Sequence, residues 1–149
     1  MAANTNPIYG RTADIQVGGA IIGTAANTAT DGTGANTSLI YTADATEGSY
    51  VYLVRLKSVS TIAATVVRLW VCTDTGVFTP GTTNTAANTT MIGEMTIAAF
   101  TASNTIASPV YEFPVNMPLN ASYKLLMTFG TSTGAATTGF NPLTIAAKY

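Results

Sequence analysis

The sequence predicts an all-β protein: a single-domain β-sandwich of about eight antiparallel strands, jelly-roll-like, with an immunoglobulin-like sandwich as the alternative. Three observations carry this. Apolar residues alternate with a period of two in several short runs. Turn signals such as Asp74-Thr75-Gly76 and Pro80-Gly81 separate those runs. No segment holds helical periodicity over a helix-like length, and the Ala-Ala pairs at 25–26, 63–64, 98–99 and 135–136 sit among Thr, Gly and Asn, which weaken a helix.

The elements follow in chain order. Ile15–Gly23 carries Ile15, Val17, Ile21 and Ile22, interrupted by Gly18-Gly19, a pair that suggests a bulge or bend. Thr37–Thr42 is a short strand with Leu39 and Tyr41 on one side. Ser49–Val59 is the clearest run: Tyr50, Tyr52, Val54 and Leu56 on one face, Val51, Leu53, Arg55 and Lys57 on the other. Thr65–Thr73 places Val67, Leu69 and Val71 opposite Val66, Arg68, Trp70 and Cys72. Thr90–Phe100, Pro109–Asn116, Tyr123–Phe129 and Leu143–Ala147 complete the set. Gly23–Asn36 and Thr82–Thr90 are low in complexity and read as long surface loops.

Two parts are expected: an extended N-terminal arm over 1–13 and a β-sandwich domain over 14–149. Pro7, Ile8, Tyr9 and Arg11 are the candidate partner-binding residues, on an arm that docks on a partner. A frayed terminus or a first strand at the sheet edge are the other readings of the same residues.

Charge narrows the function. Of the 149 residues only 9% are charged, and the net charge is −1. That leaves no basic surface for nucleic acid and no electrostatic pull toward a membrane. The 28 threonines supply polarity through a β-branched side chain that suits pleated surfaces. Weak charge repulsion between copies favours assembly over life as a dilute monomer. Met1–Pro7 has neither the basic nor the apolar region of a signal peptide, so synthesis in the cytoplasm is expected.

Chemistry is restricted further. The chain has no histidine and one cysteine, Cys72, which removes Ser-His-Asp and Cys-His catalysis and thiolate–imidazole zinc sites. Cys72 reads as a small buried residue. A glycosidase needs two carboxylates on one cleft. Asp14, Asp31, Asp44, Glu47 and Asp74 fall in or beside turns, while Glu94 and Glu112 lie in strands as outward charges. The expectation is no enzyme, no cofactor and no metal. Arg55, Lys57 and Arg68 would cluster on one face if the two long strands pair.

End to end, the chain resembles tailed-phage capsid decoration (cement) proteins, the small virion proteins encoded beside the major capsid protein. Asn6-Pro-Ile-Tyr9 resembles their short arm. Leu39-Ile-Tyr-Thr42, the strand Tyr50 to Val59, and Val66-Val-Arg-Leu-Trp-Val-Cys-Thr-Asp-Thr-Gly76 follow their order. Pro118-Leu-Asn-Ala-Ser-Tyr-Lys-Leu-Leu126 and Ile145-Ala-Ala-Lys-Tyr149 resemble their last two strands. The resemblance is one of pattern and composition across most of the chain. It implies a β-sandwich on the outer capsid surface of the virion, often a homotrimer, that binds the major capsid protein and bridges neighbouring capsomers. The rival is a fibre, tail or adhesin module binding host glycan, which requires exposed aromatics among Trp70, Tyr111 and Tyr123.

Overall fold

The computed structural model describes residues 10–18, 21–134 and 138–149. Eight strands form two four-stranded antiparallel sheets packed as a β-sandwich: β1 (Thr12–Val17), β2 (Ser38–Thr42), β3 (Ser49–Ser58), β4 (Thr65–Cys72), β5 (Thr89–Ile97), β6 (Val110–Leu119), β7 (Lys124–Phe129) and β8 (Phe140–Lys148). The first sheet runs β1-β8-β3-β6 and the second β2-β7-β4-β5. Strand one therefore pairs with eight, two with seven, three with six and four with five. This is a long hairpin rolled up on itself, the winding of a jelly roll. An immunoglobulin sandwich instead sets strands A and B, D and E, and F and G side by side.

Period two sets the core. Val51, Val54, Leu56, Val67, Leu69, Leu125, Met127, Phe129 and Phe140 point between the sheets and are buried. Phe129 of the second sheet stacks on Phe140 of the first at 5.6 Å between ring centres, joining the layers. Each such side chain contributes about 1.5–3 kcal/mol by leaving water.

The alternation expected in β3 breaks at Tyr52. The register to both neighbours shifts between Val51 and Leu53. Opposite the break, Asn116 of β6 takes a positive φ of 46°, a conformation that Asn accepts more readily than most residues. The bulge changes the phase. Val51 is buried with Val54 and Leu56, whereas Tyr50, Tyr52 and Leu53 turn outward. A bulge leaves the period intact on either side, so the sequence pattern hides it.

Three other expectations shift. The first strand is Thr12–Val17, and Ile22 makes an isolated bridge with Phe140. Thr12 and Ala13, expected in the arm, pair with Lys148 and Ala147. The two long strands β3 and β4 lie in different sheets, so Arg55 and Arg68 do not share a face. Arg55 pairs with Glu112 at 2.7 Å and Arg68 with Glu94 at 2.8 Å.

Candidate functional site

The outer face of the first sheet is built from in-register ranks of outward side chains. One rank is Ala13–Ala147–Tyr50–Pro118. The next is Ile15–Ile145–Leu53–Pro114, apolar across all four strands. The third is Val17–Leu143–Arg55–Glu112, and Asn141–Lys57–Val110 follows.

β1 is inverted relative to the usual pattern. Ile15 is 60% and Val17 69% exposed, while Asp14 and Gln16 face the sandwich interior. The inward polar groups are satisfied by the second sheet. Tyr41 Oη donates to Asp14 Oδ2 at 2.7 Å. Gln16 Nε2 donates to the Thr42 carbonyl, and the Thr42 N–H donates back to Gln16 Oε1. Burial, with the neighbouring Asp14 carboxylate adding to it, pushes the Tyr41 hydroxyl's pKa up. An edge strand that hides its polar side and shows its apolar side needs a reason outside the monomer's core.

Aromatics gather at one end of this face. Tyr50 and Tyr52 lie 5.0 Å apart, and Tyr149 stands close enough to feel both rings' hydroxyls. Desolvation raises the Tyr149 pKa. Gly10 lies over the same end: a Cβ there would sit 2.2 Å from Ala147 Cβ and 3.4 Å from Tyr52 Oη. A chain without a side chain is required for so close a passage.

Of the candidate partner-binding residues, Pro7, Ile8 and Tyr9 lie outside the described residues. Arg11 is exposed. Its N–H donates to the Lys148 carbonyl at 2.7 Å and its guanidinium meets Glu47 Oε1 at 2.6 Å. The sequence places Tyr50 and Tyr52 on the face of Val54 and Leu56; the bulge turns both outward, beside Leu53, and leaves no composition signal.

The aromatics singled out for glycan stacking are elsewhere. Trp70 is 2% exposed, and its Nε1 donates to Thr128 Oγ1 at 2.9 Å. Tyr111 and Tyr123 pack against the core.

The carboxylates are engaged in structure. Asp31 accepts from the hydroxyl and N–H of Thr33, which lower its pKa. Asp44 caps the N–H groups of Glu47 and Thr46 and pairs with Lys148 at 3.1 Å, and its pKa falls to about 2. Asp74 accepts from the Gly76 N–H. Glu94 and Glu112 do meet on one feature, a groove of about 280 Å³ between the edge strands β5 and β6. Its walls include Leu69, Met95, Phe113 and Met117, and each glutamate is held by an arginine. Among the described residues no group of three or more His, Cys, Asp or Glu is placed to hold a metal, and no helix is long and apolar enough to cross a membrane.

No protein-family model, curated protein or solved structure matches the chain.

Proposed function

We propose that this protein is a structural virion component, a decoration subunit that binds the outer surface of a tailed-phage shell and stabilises it by bridging neighbouring capsomers. The observation that supports this best is the inverted strand β1, which puts an apolar rank on an exposed sheet face beside Gly10. Such a face favours a protein that works by being covered. The low charge, the jelly-roll winding and the resemblance in sequence pattern point the same way. In this reading the major capsid protein is the partner. Pro7, Ile8, Tyr9 and Arg11 contribute to the shell contact, and many weak contacts add through avidity. Binding only the mature shell stabilises that form by linkage.

The deciding experiment counts copies in purified virions by quantitative mass spectrometry against the major shell subunit. A number equal to the shell subunit, or about a third of it, supports the decoration reading. A handful of copies moves the protein to the tail or a fibre, and absence overturns the virion reading. Deletion of residues 1–9, which spares the β1–β8 ladder, is expected to weaken shell binding while the unfolding transition is kept.

The second reading, a glycan-binding fibre or tail module, is favoured by one observation, the outward Tyr50–Tyr52 pair. A glycan array with no signal from the folded protein counts against it.

A further inference from the structure

We infer that the outer face of the first sheet is a two-fold interface for a second copy of this chain. The argument rests on the order of the ranks. The aromatic end holds Tyr50, Tyr52 and Tyr149. The middle rank, Ile15–Ile145–Leu53–Pro114, is apolar from edge to edge. The opposite end holds Arg55 and Lys57, with Glu112 beside Arg55.

A two-fold axis laid along the middle rank makes this pattern complementary to itself. Each residue of the middle rank meets its own copy: Leu53 opposite Leu53, Ile15 opposite Ile15. The strand direction reverses, so Arg55 of one copy lies over the Tyr50 rank of the other and Lys57, one rank further out, lies level with Tyr149, and the reverse contact forms at the far end. A guanidinium or ammonium over a tyrosine ring is attractive, and the symmetry makes that contact twice. Antiparallel stacking of two sheets face to face, about 10 Å apart, is an ordinary sheet packing. It also explains the inversion of β1, whose outward Ile15 and Val17 then leave water.

Size sets the strength. Four strands at about 4.8 Å spacing and about 20 Å of strand length give a footprint on the order of 400 Å² per copy. That is below the roughly 800 Å² per partner of a standard stable interface, so the dimer is weak and concentration-dependent. This inference goes beyond the virion reading: it gives this face to a second copy, and the shell contact of that reading then falls to other surfaces of the dimer. It is tested on purified protein, and the virion copy count tests the other.

The experiment is sedimentation velocity of the full chain from roughly 10 μM to 1 mM, the range in which an interface of this size associates. The wild type is expected to move from one copy toward two. Leu53→Lys and Leu53→Glu, each placing like charges on the axis, are expected to dimerise on the order of 100-fold more weakly. An equimolar mixture of the two is expected to regain the dimer, which only a residue facing its own copy explains. Ile15→Lys, at a more exposed position, gives the same loss and keeps the test readable if Leu53 variants lose stability. A wild type that stays monomeric overturns the proposal. So does a trimer, and so does a mixture no stronger than its components. Dimers that form only after deletion of residues 1–9 overturn it as well, because the chain's own N-terminal segment is then the occupant.

Discussion

The two sheets of this sandwich have outer faces of similar chemistry and opposite fates. On the second sheet, Trp70, Cys72 and Leu126 point outward and are buried, with Phe78 packed against them. On the first, Ile15, Tyr52 and Val110 point outward and stay exposed. The difference is made by loops. The segments 23–36 and 74–88 fold across the second sheet and lock to each other through buried amides. Asn84 Nδ2 donates to the carbonyls of Gly32 and Gly34 and to Thr37 Oγ1, while its Oδ1 accepts from the Gly81 N–H. Asn27 donates to the Thr33 carbonyl and to Thr37 Oγ1, and accepts from the Ala29 N–H. Lys124, buried, donates to the carbonyls of Asp74 and Ser122 and so ties down the start of the second segment. No comparable cover lies on the first sheet among the described residues. The lesson is that outward apolar residues become core where a loop returns over them and stay exposed where no described segment does.

Five substitutions break or sharpen this contrast. The largest effect is expected for Trp70→Ala, at about 3–5 kcal/mol of unfolding free energy, because it empties a closed site and strands Thr128. Chemical denaturation measures it, and the same experiment on Ile15→Ala is expected to stay within about 0.5 kcal/mol. If both cost the same, the contrast between faces fails.

Asn84→Ala comes next, at about 2–3 kcal/mol, because it leaves a buried carbonyl and the Gly81 N–H without partners. A loss well below 1 kcal/mol would mean that the loops cover the sheet without being held by this amide. Gly32→Ala tests the same cover through the backbone. Its φ is +84°, and a Cβ would sit 2.5 Å from Thr89 Cγ2, so a cost of about 1–3 kcal/mol is expected. Proteolysis within 74–88 that is faster in this variant would locate the loss in the cover.

The smallest effect is electrostatic and belongs to the end of the first sheet. The N–H groups of Glu47 and Thr46, and then Lys148, hold the Asp44 pKa down to about 2. The stabilisation is complete above the ordinary value of 3.8 and is lost as pH falls toward about 2. The raised Lys148 works in the other direction: its share is complete below the ordinary 10.5 and fades as pH climbs through the raised value. The melting-temperature gap between wild type and Asp44→Asn is therefore expected to be constant from pH 5 to 8 and to close toward pH 2. A gap that persists at pH 2 would assign it to the hydrogen-bond geometry rather than to the charge.

The sequence by itself determined the class of fold and most of its strands. Alternation at Thr65–Thr73 and Tyr123–Phe129 is local, and each run is set by its own residues, so β4 and β7 appear almost where they were expected. It also determined that the side chains of this chain offer no imidazole, since it has no histidine. Tertiary structure decided the rest, because those properties depend on contacts between distant residues. Which of the two apolar outer faces is covered follows from how segments some fifty residues apart meet, as Asn84 meets Gly32. Whether Tyr50 and Tyr52 point in or out follows from a bulge set by pairing with both neighbours. That β1 turns Ile15 outward follows from Asp14 and Gln16 finding partners on the opposite sheet. A polar side chain can be buried only where another strand brings its partner, and only the folded chain brings that strand near.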